Sequence, residues 1–74
     1  MMLSTGAVAR LIGVPEARIQ HIIRRGRVCP APTVAAGRRS WTYGQVLQAA
    51  RELEVLDSAI EDAINAAFAA ESRP

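Results

Sequence analysis

The distribution of glycine and proline divides this chain of 74 residues into two unlike parts. Every glycine, and every proline except Pro74, lies within the first 44 residues. Proline lacks a backbone N–H and glycine favours left-handed turns, so the first part must consist of short elements separated by turns. Residues 45–73 contain neither residue type, which leaves them free to form long helix.

The first predicted helix covers residues 5–12. Ser4 is suited to cap its N-terminus, and Gly13 is suited to end it. Its large apolar residues share one face: Val8, Leu11 and Ile12.

A second helix is predicted from about Pro15 to Arg25. Proline is tolerated at a first helical position, and Gly26 is the expected left-handed stop. Three isoleucines at helical spacing form its buried face: Ile19, Ile22 and Ile23. Two helices joined by a tight turn predict a helix-turn-helix.

A β-hairpin is predicted to follow, because prolines exclude a helix between residues 27 and 40. We predict strands at Arg27 to Cys29 and at Arg38 to Trp41, with Gly37 at the tip. Cys29 is then a small apolar strand residue, and Trp41 packs beneath the hairpin.

The remainder of the chain is predicted to be helical. Thr42 and Gln45 have the spacing of a capping box, so a third helix begins at Tyr43. It could continue to about Glu71, but residues 58–61 carry a second capping-box signature that begins at Ser58. One bent helix and two helices are both open.

The tail is amphipathic and rich in small residues. Its apolar face consists of Leu56, Ile60, Ala63, Ile64, Ala67 and Phe68. We expect this face to form a homotypic contact between copies of the chain; the alternative is that it folds back on its own domain. The predicted fold is mostly α with a short β-hairpin: a winged helix-turn-helix over residues 1–55, then a C-terminal helix over residues 56–74 for oligomerisation.

The net charge of +2 conceals two opposite charges along the chain. Residues 1–51 hold eight arginines against one acid, a net +7, whereas residues 52–74 hold one arginine against six acids, a net −5. The first part is therefore predicted to face a polyanion, and the tail a protein. The chain has no lysine. Two explanations are equally good: a genome that favours arginine, and selection for the bidentate contacts that arginine makes with phosphate and guanine.

Length and composition argue against an enzyme. A domain this short has no room for an enclosed substrate pocket. One histidine, His21, and one cysteine, Cys29, provide no disulfide, no metal site and no catalytic set, so we expect no metal and no cofactor. No apolar run is long enough for a membrane span and the N-terminus does not resemble a secretory signal, so the expected location is the cytoplasm.

The polar side of the second helix is the candidate binding surface. It carries Ala17, Arg18, Gln20, His21, Arg24 and Arg25. Glutamine can pair with adenine, arginine with guanine, and an alanine methyl group can contact thymine, so this set suits a DNA major groove. The alternative is an ordinary solvated helix face. Three further arginines could contact the backbone or minor groove: Arg27, Arg38 and Arg39.

Three segments resemble the small winged helix-turn-helix domains of the MerR superfamily: residues 6–14 (GAVARLIGV), 26–28 (GRV) and 37–42 (GRRSWT). Residues 27–32 (RVCPAP), followed by Gly37 and Arg38, also look like phage excisionases. The resemblance covers about residues 4–53. It implies that the second helix reads the major groove and that the hairpin, or wing, grips the flanking backbone or minor groove through Arg38 and Arg39.

The sequence thus predicts a sequence-specific binder of double-stranded DNA without catalytic activity. It would act as a small transcriptional regulator or as an excision factor of a phage or prophage, as a homodimer or higher homo-oligomer. A recombinase, a polymerase or a packaging nuclease is a possible protein partner. The alternative function is an assembly adaptor of a phage DNA-packaging machine, similar to a small terminase subunit, which a stable ring or a bound nuclease would reveal.

Overall fold

The computed structural model describes residues 3–29, 31–35 and 37–72. These residues form four helices and one two-stranded antiparallel hairpin, which confirms a mostly helical fold with a short hairpin. In chain order the elements are α1 (Thr5–Ile12), α2 (Glu16–Arg24), β1 (Thr33–Ala35), β2 (Arg38–Ser40), α3 (Tyr43–Glu52) and α4 (Ser58–Ser72). No helix in the described ranges has the length and apolar character needed to cross a membrane.

The predicted start and end of α1 are confirmed. The Ala7 N–H donates to Ser4 Oγ at 3.2 Å, which satisfies a backbone donor that the first turn leaves free. Gly13 ends the helix with φ +73°, a conformation that only glycine adopts at no steric cost.

Helix α2 lies one residue inside its predicted limits at each end. The Gly26 N–H donates to the Ile23 carbonyl at 3.0 Å, and the Arg27 N–H donates to the Ile22 carbonyl at 2.9 Å. Gly26 has φ +70°, so this pair of bonds is the Schellman arrangement that closes a helix C-terminus. The predicted stop at Gly26 is confirmed.

The first predicted strand is wrong. Residues 27–29 form no strand, and 28 and 29 form a bend. β1 lies instead at Thr33–Ala35, paired with β2 so that Thr33 faces Ser40 and Ala35 faces Arg38. The prediction placed Val28 at the centre of a strand from Arg27 to Cys29. Val28 is indeed buried, but in a loop, and the β-branched pair Thr33 and Val34 forms the strand.

Cys29 is exposed and belongs to that loop, so its predicted place as an apolar strand residue is also wrong. Its backbone N–H donates to the side-chain oxygen of Gln48 on α3 at 3.1 Å. The backbone of Cys29 therefore holds this loop against α3 through a hydrogen bond.

Trp41 is fully buried, as predicted. It follows β2 as an isolated bridge to Leu3, with N–H to carbonyl distances of 3.0 and 2.8 Å. Its indole N–H donates to Thr5 Oγ1 at 3.0 Å, which satisfies the one polar atom of the buried ring. Trp41 thus joins the hairpin to the start of α1.

The capping box that begins α3 is confirmed. The Gln45 N–H donates to Thr42 Oγ1 at 3.4 Å, and the Thr42 N–H donates to Gln45 Oε1 at 2.8 Å.

Two helices, rather than one bent helix, follow Thr42. A second Schellman arrangement closes α3: the Glu54 N–H donates to the Arg51 carbonyl and the Val55 N–H to the Ala50 carbonyl, both at 3.0 Å. The N-terminal cap of α4 is Asp57, whose Oδ1 accepts from the Ile60 N–H at 2.8 Å. The second capping-box signature was therefore placed one residue too late, at Ser58.

The tail folds back on its own chain. Ile64 of α4 is fully buried in the same core as Val8, Ile19 and Trp41, and α4 packs mainly on α1 and α3. The rest of its apolar face is half-buried: Leu56, Ile60, Ala63, Ala67 and Phe68. Such a fold-back was the predicted alternative to a homotypic contact between copies of the chain.

An aromatic pair fastens the far part of α4 to the start of α3. The rings of Tyr43 and Phe68 meet edge to face, with centroids 5.6 Å apart and planes at 89°. The Tyr43 hydroxyl also donates to Asn65 Oδ1. Both contacts hold α4 against its own chain.

Candidate nucleic-acid interface

The outward face of α2 is defined here as five exposed residues of the helix and its C-cap: Ala17, Arg18, His21, Arg24 and Arg25. Glu16, also exposed, lies apart from them at the N-terminus of the helix. The helix is oriented by Ile19 and Ile22, which are 0% and 7% exposed and pack in the core. At 100° per residue, burial of these two isoleucines turns Ala17, His21 and Arg24 directly away from the protein. Arg18 and Arg25 lie along one flank of that stripe.

Gln20 lies on the other flank of α2 and is half-buried, unlike the rest of the predicted set. Its Oε1 accepts a hydrogen bond from Arg39 Nη1 of β2 at 2.6 Å. This charge-assisted bond joins α2 to the hairpin and makes their outer surfaces continuous. This pairing could not be predicted from the sequence, because the two residues are 19 positions apart.

The hairpin carries two of the predicted arginines. Arg38 faces Ala35 across the sheet; its side chain lies outside what the structure describes. Arg39 is half-buried and faces Val34, which is 59% exposed. Gly37, predicted at the tip, precedes β2 with φ +75°.

Arg27 extends the basic surface beyond the end of α2. Its side chain is exposed, and its backbone is fixed by the Schellman bond to Ile22. Arg24, Arg25 and Arg27 therefore follow one another at the end of α2 that adjoins the proline-containing loop.

Glu16, the only acid among residues 1–51, lies close to α1. A β-carbon added at Gly6 would stand 3.2 Å from Glu16 Oε1 and 3.8 Å from Arg10 Nη1. The carboxylate thus lies over the first turn of α1 and within the first turn of α2, where both helix dipoles favour a negative charge. A larger residue at position 6 would require the end of the Glu16 side chain to move by a few tenths of an ångström.

The acids of the tail lie on an element that does not pack mainly on α2. Glu61 and Asp62 are exposed on α4, whose principal contacts are with α1 and α3. The separation of positive and negative charge along the sequence therefore persists between α2 and α4.

His21 is exposed on the outward face of α2. Within residues 3–29, 31–35 and 37–72, no group of three or more histidine, cysteine, aspartate or glutamate side chains could hold a metal ion. The chemistry that the face offers is hydrogen-bond donation and positive charge, with one methyl group at Ala17.

Comparisons of the chain with protein-family models, with curated proteins and with solved structures found no match.

Proposed function

We propose that this protein is a winged helix-turn-helix that binds double-stranded DNA, with α2 in the major groove and the β1–β2 hairpin on the adjacent backbone or minor groove. One observation supports this above the others. The exposed stripe of Ala17, His21 and Arg24 is flanked by arginines on one side and is linked to Arg39 of the hairpin through Gln20 on the other.

The dimensions of α2 agree with a major groove. An α-helix with its side chains is about 10–12 Å in diameter, and the major groove of B-form DNA is about 12 Å wide, so a helix such as α2 can enter it. The side chains of the stripe can reach base edges, while the arginines at both sides can reach phosphates. Phosphate contacts fix the position of the helix, and the stripe then selects the sequence.

A duplex is favoured over a single strand because the aromatic side chains are committed elsewhere. Binding of single strands relies on rings on which bases stack. Trp41 is fully buried, and Tyr43 is engaged with Phe68 and Asn65. The outward face of α2 has no aromatic residue.

A small footprint favours two copies on neighbouring DNA sites. Single DNA-binding modules bury about 600–1,000 Å² of protein surface, which limits the affinity of one copy. The apolar face of α4 is packed on its own chain and does not serve as a dimer contact. Two copies would therefore be brought together by binding to neighbouring sites on the DNA. An assembly role for the tail, the alternative function, needs that face to be free, and we therefore propose DNA binding as the function.

Three arginine-to-alanine variants test the proposal, because each removes the same charge from an exposed side chain. Arg24→Ala should relax the preference at one or two base positions, at a cost of about 1–3 kcal/mol for the preferred base. Arg27→Ala should weaken binding to all sequences alike. Arg51→Ala on α3 is the control and should leave binding nearly unchanged.

The measurement is selection from a library of randomised duplexes, followed by fluorescence anisotropy on the selected and on a scrambled duplex. Equal, sequence-independent losses in all three variants would show that the arginines act only through net charge. That result would exclude groove reading by α2.

A further inference from the structure

We infer that Arg39 determines which base Gln20 reads, by holding the glutamine amide so that only its N–H donors face the DNA. The inference rests on the proposed DNA binding and adds a specificity-determining contact to it. Arg39 is here a positioning residue for Gln20.

The identity of the bonded atom follows from chemistry. A guanidinium group has N–H donors and no acceptor, so the atom of Gln20 that faces Arg39 must be the amide oxygen. The Nη1–Oε1 distance of 2.6 Å is that of a strong, charge-assisted bond. Both side chains are half-buried, which protects the bond from competition by water.

The backbones that carry the two side chains are both well fixed. Gln20 follows Ile19, which is fully buried, and Arg39 is paired with Val34 in the hairpin. With Oε1 turned to the hairpin, the Nε2 amino group is on the opposite side of the planar amide. It is therefore turned away from the Arg39 guanidinium, and in the inferred complex its N–H groups face the DNA.

This orientation changes the expected readout. A free glutamine pairs bidentately with adenine, since Oε1 accepts from the N6 amino group while Nε2 donates to N7. A glutamine whose oxygen is held by Arg39 offers the base two donors. Guanine presents two acceptors in the major groove, N7 and O6, so guanine is the base expected opposite Gln20.

The bond to Gln20 uses only part of the hydrogen-bonding capacity of Arg39. A guanidinium has five N–H donors, and the bond to Gln20 uses one. The others can contact a phosphate, so Arg39 can hold Gln20 and the DNA backbone at the same time. Loss of Arg39 should therefore change both the affinity and the base preferred at a single position.

The test is selection from randomised duplexes with the wild-type chain, four variants of Arg39 and Gln20, and one control variant. The wild type should prefer guanine at the position that Gln20 contacts, by roughly fivefold to a hundredfold over other bases. Arg39→Met keeps an unbranched, mostly apolar side chain but removes the donors, and should move the preference at that position to adenine. Arg39→Lys keeps a donor and should retain guanine.

Two variants of Gln20 identify the position. Gln20→Ala should abolish the preference there and nowhere else. Gln20→Glu keeps the partner of Arg39 but offers the base an acceptor, and should move the preference to cytosine, whose N4 amino group donates. Because Gln20→Glu leaves Arg39 intact, it remains informative if Arg39→Met does not fold. Thermal unfolding by circular dichroism checks the fold of each variant.

Arg27→Ala is the matched control, since Arg27 lies beyond the end of α2 and takes no part in the bond between Gln20 and Arg39. It should weaken binding without moving any preference. A uniform loss of affinity in Arg39→Met, with guanine retained, would overturn the inference but not the proposed function. Adenine preferred by the wild type opposite Gln20 would do the same. Failure of the wild type to bind any duplex would overturn both.

Discussion

At the scale of the residue, Glu54 occupies a position where glycine is usual. It follows the last turn of α3 with φ +59°, the one non-glycine residue with positive φ in the part of the chain that the structure describes. A left-handed conformation places Cβ too near the following carbonyl and costs an L-residue about 1–2 kcal/mol. The two Schellman bonds that end α3 hold the residue there.

Replacing Glu54 with glycine should therefore stabilise the protein. Glu54→Gly removes the clash, and it also removes a negative charge from a helix C-terminus, where acids are unfavourable. We expect the free energy of unfolding to rise by about 0.5–1.5 kcal/mol, measured by urea denaturation. Glu54→Gln is the control because it removes only the charge. An equal gain from both variants would show that φ carries no cost here.

Glu54 also explains why the sequence did not predict where α3 ends. Glycine marks the ends of α1 and α2, and both predictions based on it are confirmed. Residues 45–73 have no glycine, so the left-handed position had to be filled by a residue that gives no signal. The turn forms because residues on both sides are apolar: Leu53 is buried, and Val55 packs against the core.

At the scale of the element, α4 shows how the fold completes its core. Its pattern of apolar residues predicted a buried face but could not specify which surface covers it, since a second copy and the chain's own core have the same apolar character. In the structure that surface is formed by α1 and α3. The full burial of Ile64 makes α4 part of the core that α1, α2 and α3 share.

Truncation of Ile64 tests this assignment. Ile64→Ala should lower the free energy of unfolding by about 2–5 kcal/mol, because it leaves a cavity in a small core. Ile60→Ala makes the same chemical change at a half-buried position of α4 and should cost less. Urea denaturation measures the stability, and sedimentation velocity measures the oligomeric state. An Ile64→Ala chain that keeps its stability but loses a dimer would restore the homotypic contact.

The hairpin shows what the alternation of residues could and could not predict. β2 was located within one residue, because Gly37 fixes where the chain reverses. β1 was misplaced by six residues at its start, because Val28 and Val34 are equally suited to a strand and only the tertiary fold separates them.

The residues of the outward face of α2 were predictable, because three isoleucines orient the helix. The bond between Gln20 and Arg39 was not predictable, because it depends on the position of β2 in space.

At the scale of the whole molecule, the separation of charge is a prediction about salt. Binding of arginines to phosphates releases counterions, so the logarithm of the binding constant falls linearly with the logarithm of the salt concentration, by about 0.9 for each phosphate neutralised. Arginines that touch DNA contribute to this slope. Acids on α4, which packs on α1 and α3, should act only through their distant, screened field.

Titrations of a duplex between about 0.05 and 0.3 M NaCl separate these two effects. Arg27→Ala should reduce the magnitude of the slope by about one, because one phosphate contact is lost. The double variant Glu61→Gln/Asp62→Asn removes two exposed acids from α4 and should raise the affinity slightly at low salt. Because salt screens this distant field, the gain should fade as salt is raised and should steepen the slope by much less than one. Arg51→Ala controls for the loss of a positive charge at an exposed site on α3. If neutralising Glu61 and Asp62 altered the slope as much as Arg27→Ala does, α4 would lie at the DNA, and the orientation proposed for α2 and the hairpin would have to be abandoned.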